Sequence, residues 1–153
     1  MQVVYLVRHG AAKSSQEDPQ RGLTTAGRET VQQMAGWGAR AGIEVDQIDH
    51  SGKLRAEQTA TIFAAALRPD LQPQAMPGLA PNDEVRPIAD WLNVEPATRM
   101  LVGHLPFLSR LVSQLVLGEP DRQLVLFEPA AVVWLVKADN GWVIQCVRQP
   151  SWR

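Results

Sequence analysis

The run Val3-Val4-Tyr5-Leu6-Val7 is apolar, rich in β-branched residues and short, and it ends on Arg8-His9-Gly10. A stretch of this kind reads as a buried strand of an α/β sheet. In open α/β sheets, ligands bind outside the carboxyl ends of the strands. The sequence therefore places a cation and an imidazole where such sheets carry their sites. Gly10 would let a bound group approach the main chain closely.

The rest of the chain supplies the elements that such a strand needs around it. Val45–Ser51 and Arg99–Gly103 read as further strands, and Gln72–Met76 as a short edge strand. Ala11–Gly22 is polar and reads as a loop over the end of the first strand. Thr24 or Thr25 is expected to cap a helix that turns Val31, Met34, Ala35 and Gly38 inward and stops at Gly42. A second helix is expected from Leu54, with Thr59, Ile62, Phe63, Ala66 and Leu67 as its buried stripe and Pro69 as its stop. Asn82 is expected to cap a short helix from Asp83 to about Asn93, with Asp83 and Glu84 at its positive end. Pro106 opens a last helix to Leu117, with Leu108, Leu111, Val112 and Leu115 inward. Ala131–Val136 and Trp142–Val147, joined through Asp139-Asn140-Gly141, carry a hairpin signal. The pattern predicts a three-layer α/β/α sandwich with a mainly parallel sheet and a C-terminal hairpin. A length of 153 residues, 45% of them hydrophobic, suits a single domain with one core. The five tryptophans and Cys146 are expected to be packing residues.

Charge narrows the partners. The 15 Lys+Arg and 16 Asp+Glu nearly cancel, and no basic tail or stripe stands out, which argues against nucleic acid. One cysteine excludes an internal disulfide framework and a cysteine-cluster zinc site, and it suits a reducing compartment. No apolar run is long enough to span a bilayer, and Arg8 interrupts the first one too early for a signal peptide. The expectation is a cytoplasmic protein with no membrane partner.

Several basic groups share one structural address. Arg8 and His9 follow the first strand, Arg55 opens the helix after the second, and His104 follows Arg99–Gly103. In a parallel sheet these ends lie along one edge, and Arg21 sits in a loop able to fold over it. Taken singly, Arg55 and Arg21 read more simply as surface charges and His104 as a structural histidine, while Arg8 reads equally well as a solvated strand end. Together they describe a positive pocket for a compact dianion. Guanidinium forks match phosphate oxygens and stay charged, which favours phosphate over carboxylate. The same arginines would repel a metal ion held between His9 and His104, so neither metal nor other cofactor is expected.

Four stretches, in order, resemble the histidine phosphatase superfamily, whose fold is phosphoglycerate mutase-like. Leu6-Val7-Arg8-His9-Gly10 resembles its signature. Arg21-Gly22-Leu23-Thr24-Thr25-Ala26-Gly27, Ser51-Gly52-Lys53-Leu54-Arg55-Ala56-Glu57-Gln58-Thr59 and Val102-Gly103-His104-Leu105-Pro106 resemble segments of its short, SixA-type branch. Gly22 and Gly52 stand where that branch usually has proline. The resemblance implies a phosphatase in which His9 is the nucleophile and becomes phosphorylated. Arg8, Arg55 and His104 would hold the phosphoryl oxygens, with Arg21 adding to the grip, and water would release inorganic phosphate.

The proton donor bears on the substrate. An ester leaves as a poor alkoxide and needs an acid, whereas a phosphohistidine leaves as an imidazole and needs less help. Larger family members use a glutamate in mid-chain, and here Glu84 and Asp83 occupy that region. Their simpler reading is as helix N-terminal carboxylates. The expected substrate is therefore phosphohistidine on a protein, such as a histidine-containing phosphotransfer domain. The alternatives are a small phosphorylated metabolite, with Glu84 or Asp83 as acid, or a phosphate-binding module without catalysis.

Overall fold

The computed structural model describes residues 1–152. Its elements run β1 (Val3–Arg8), α1 (Thr25–Arg40), β2 (Gln47–His50), α2 (Leu54–Leu67), β3 (Gln74–Ala75), α3 (Arg86–Val94), β4 (Arg99–Gly103), α4 (Phe107–Leu117), β5 (Val132–Ala138) and β6 (Gly141–Arg148). The strands form one six-stranded sheet in the order β3-β2-β4-β1-β5-β6. Pairs β3·β2, β2·β4 and β4·β1 are parallel, and β1·β5 and β5·β6 are antiparallel. This is the expected mixed architecture, with the C-terminal hairpin added to the β1 edge.

Alternation along β1 builds a core on each face. Val4 and Leu6 join Leu101, Val133 and Leu135 beneath α3 and α4, where Ile88, Leu92, Leu108 and Leu111 pack. Tyr5 and Val7 join Ile48, Met100 and Val102 on the other face, against Val31, Met34, Ala60 and Phe63 of α1 and α2. Side chains of successive strand residues point to opposite faces, so one short strand serves both layers.

Thr24 caps α1, its hydroxyl accepting the Gly27 N–H at 2.9 Å. The structure corrects several details. The buried face of α2 is Ala56, Thr59, Ala60, Phe63 and Ala64; Ala66 is exposed and Ile62 and Leu67 are half-buried. Alanines bring this helix close to the sheet, and the bulkier residues sit at its flank. Helix α3 begins at Arg86, with Pro87 in its first turn, so Asp83 and Glu84 lie in the preceding turn. Asp83 Oδ2 accepts the Ala80 N–H at 2.9 Å, which spends that carboxylate on the loop. Trp142 is buried and Trp152 exposed, and Cys146 is half-buried on edge strand β6.

Register fixes what meets at the sheet's carboxyl edge. Arg8 pairs with Gly103, and His50 pairs with Val102. One residue further on, Ser51, His104 and His9 follow strands that are neighbours in the sheet.

Candidate active site

His9 is anchored from both sides. Its N–H donates to the Gly103 carbonyl at 3.0 Å, and its own carbonyl accepts the Ala130 N–H at 3.2 Å. Its Nδ1 lies 2.7 Å from the Gly10 carbonyl. A carbonyl oxygen only accepts, so Nδ1 carries the proton and the Nε2 lone pair is left for chemistry. A Cβ on Gly10 would fall 2.5 Å from Val31 Cγ2 and 3.2 Å from the Gly27 carbonyl, so a side chain there would displace the segment carrying His9.

The sheet edge brings the second imidazole alongside. The rings of His9 and His104 are 5.0 Å apart between centroids and tilted by 52°. His104 is buried, and its Nε2 is 2.6 Å from Ser51 Oγ. Both rings are held neutral. Burial pushes His9 down to about 4, with a counteracting pull from its Gly10 hydrogen bond and a further push from Arg55, Arg8 and Arg21. Burial likewise pushes His104 to about 3, helped by His9, Arg55, Lys53 and Arg21.

The guanidinium groups are held from behind. Arg8 Nη1 donates to the Phe127 carbonyl at 2.8 Å, from the segment that precedes β5. Arg21 has a left-handed backbone, φ 53°, and its Nε donates to the Lys13 carbonyl at 3.0 Å. The loop behind it is closed by the Ala12–Leu23 bridge and by Asp18, which accepts the Gln20 and Gly22 N–H groups. Asp18 therefore shapes the loop backbone around Arg21. Among the described residues, six side-chain polar atoms are buried without a hydrogen-bond partner; Arg8 Nε, Arg55 Nε and His104 Nδ1 are three of them. Unpartnered buried polar atoms are costly, and two of these three are guanidinium donors, so their gathering at one strand edge suits an acceptor there.

Sequence reasoning missed the residues that brace these groups. Thr59 accepts the Gly10 N–H and donates to the Arg55 carbonyl. Gln58 accepts the Leu23 N–H at 2.7 Å, tying the Arg21 loop to α2. The Ser51 hydroxyl and the Lys53 charge both reach His104. The strand register, which puts Ser51 level with His104, signals the Ser51 contact, and Gln58 and Thr59 lie in the segment that resembles the family, though neither register nor resemblance shows what those two bond. Glu84 is exposed, and neither it nor Asp83 bonds to Arg8, His9, Arg55 or His104 among the described residues. No cluster of three or more metal-ligating side chains occurs among the described residues.

The family model of the histidine phosphatase superfamily (branch 1) matches residues 4–84. The chain belongs to that superfamily. It is 32% identical over 143 residues to the phosphohistidine phosphatase SixA of Escherichia coli (strain K12), covering 90% of this chain and 88% of that one. The solved structure of the protein histidine phosphatase SixA complexed with tungstate superposes with a TM-score of 0.84 at 26% identity, over 97% of both chains. A mutant phosphoserine phosphatase from Entamoeba histolytica in complex with phosphoserine shares the fold, with a TM-score of 0.77 at 15% identity over 99% of this chain and 98% of that one. The fold is thus phosphoglycerate mutase-like and the superfamily chemistry is that of a phosphatase.

Proposed function

We propose that the protein removes the phosphoryl group from phosphohistidine on a protein, through a phosphorylated His9, without a metal, as one histidine phosphatase domain. The observation that carries this reading is the pairing of a neutral His9, its Nε2 free, with three guanidinium groups, those of Arg55, Arg8 and Arg21, near enough to act on its charge. His9 Nε2 attacks phosphorus, the N–P bond to the substrate imidazole breaks, and that ring, protonated on its far nitrogen, takes the electron pair and leaves as neutral imidazole, while the phosphorylated His9 keeps its Nδ1 proton. Arg8, Arg55 and His104 neutralise the equatorial oxygens and Arg21 adds charge at the rim, the main demand of phosphoryl transfer. Water then attacks the phosphohistidine, restoring His9 and releasing inorganic phosphate.

Substrate choice rests on the leaving group. Transfer between two imidazoles is nearly balanced, and no carboxylate bonds into the His9–His104 pair among the described residues. The likeness to SixA supports the same choice. A small-metabolite substrate is the second reading, favoured by the fold shared with the phosphoserine phosphatase. A cytoplasmic location fits a chain with a single cysteine. No described helix is long and apolar enough to cross a membrane.

The test is direct. Purified protein is mixed with a phosphotransfer domain carrying labelled phosphohistidine, and the enzyme-bound intermediate is trapped and mapped by mass spectrometry. Label is expected on His9 in the wild type and absent from His9→Ala. A wild type that leaves the domain phosphorylated, while hydrolysing small phosphate esters, would move the assignment to the second reading.

A further inference from the structure

Ser51 stands between β2 and α2, with its hydroxyl 2.6 Å from His104 Nε2. The same oxygen accepts the Lys53 N–H at 3.3 Å. On the far side of the ring, His104 Nδ1 is buried without a partner, in a residue 2% exposed. The hydroxyl has one proton to give and a second lone pair beyond the one taken by the Lys53 N–H, so the contact itself fits either direction. In the direction inferred here the hydroxyl donates, and an imidazole nitrogen takes that proton only when unprotonated. The proton of the neutral ring then resides on Nδ1, because the bond made by one nitrogen settles the state of the other. A protonated Nδ1 donates to an oxyanion, whereas the opposite tautomer would turn a lone pair toward it.

We propose that Ser51 is a positioning residue that holds His104 as the Nδ1–H tautomer, so that this buried nitrogen donates to a phosphoryl oxygen. The inference rests on the phosphoryl-site reading above and deepens it. A second feature places Ser51. The Gly52 N–H donates to His50 Nδ1 at 3.0 Å, and Gly52 has φ +91°. Proline, which the family usually has here, has no N–H to give and cannot reach that φ. This chain therefore sets the Ser51–Lys53 turn by clamping it to the buried His50 ring. The departure from the family pattern belongs to the device.

The chain has three histidines, so nitrogen NMR of protein with labelled imidazoles can resolve each. In the wild type at neutral pH, His104 is expected to be protonated at Nδ1 and bare at Nε2. Ser51→Ala is expected to let the proton shift toward Nε2 and to weaken tungstate, a tetrahedral oxyanion, by about tenfold or more. Ser51→Thr keeps the hydroxyl and should restore both readouts. A wild type protonated only at Nε2 overturns the proposal, and that spectrum needs no variant to fold. So does a folded Ser51→Ala chain with unchanged tautomer and tungstate affinity. A wild type that binds no tungstate overturns the phosphoryl-site reading and this inference together; a wild type that binds tungstate with the wrong tautomer overturns only the role of Ser51.

Discussion

Thr59 joins the segment after the first strand to the helix that carries Arg55. Its Oγ1 accepts the Gly10 N–H at 3.0 Å and donates to the Arg55 carbonyl at 2.8 Å. Thr59 is fully buried, so water cannot replace either bond. Thr59→Val keeps the shape and strands the Gly10 N–H, at a cost of about 1–3 kcal/mol. Thermal unfolding should show that loss, with a larger fall in kcat than in tungstate affinity because His9 is displaced. Thr59→Ser should recover most of both. Wild-type kcat in Thr59→Val would show that the hydroxyl does not position His9.

Arg8 is held by the Phe127 carbonyl on one amino group, while its Nε is buried and unpartnered. A planar fork anchored at one corner aims a charged donor from another in a fixed direction and at a fixed reach, which a compact ammonium on a flexible stem does not. Arg8→Lys keeps the charge and loses that division of labour. A fall in kcat/KM of about 10²-fold is expected, the scale for removing one transition-state donor. Steady-state kinetics on a small phosphoramidate would measure it, and a change within about threefold would assign Arg8 a purely electrostatic part.

The two imidazoles also set how stability and activity respond to acid, with stability falling first. His9 and His104 are lowered to about 4 and about 3 in the fold, against an ordinary value of 6.5. Burial lowers His50 as well. Between these values the unfolded chain binds more protons than the folded one, so stability rises with pH through the window from about 3 to 6.5. Acidification from pH 7 to 5 should therefore lower Tm, and His104→Gln should flatten the slope. With His9 as the proposed nucleophile, activity needs it neutral, so the acid limb of kcat/KM on a substrate that does not itself titrate there should lie near pH 4. An NMR titration giving His9 a value near 6.5 would contradict both statements.

How much of this was legible depends on whether neighbours in sequence or neighbours in space decide the feature. Strand Arg99–Gly103 follows from local chemistry and is where the sequence predicts it, and of the two threonines that could cap α1 it is Thr24 that does. The meeting of His9 with His104 follows from strand ends sharing one edge, a rule of the architecture. The buried face of α2 was misplaced because residue size alone favours Ile62 and Leu67, whereas close approach to the sheet selects the alanines. Thr59 looked like one more position of an apolar stripe. Its function needs a partner far away in the sequence, and no periodicity encodes that.

Asp83 and Glu84 divide the two substrate readings. Asp83 is half-buried and holds the Ala80 N–H, and Glu84 is exposed. Asp83→Asn keeps an acceptor for that N–H, and Glu84→Gln disturbs no hydrogen bond of the described residues, so both variants should fold as the wild type does. On a phosphohistidine substrate, whose imidazole leaves with little assistance, each is expected to stay within about twofold of the wild type. On an aryl phosphate with a good leaving group the result should be the same. Alkyl phosphates discriminate, because an alkoxide needs a proton as it departs. A drop of about 10²-fold or more in alkyl phosphate turnover for either variant, from a wild-type rate at least equal to that on phosphohistidine, would identify that carboxylate as the acid. Such a result would shift the substrate from a protein histidine to a small ester.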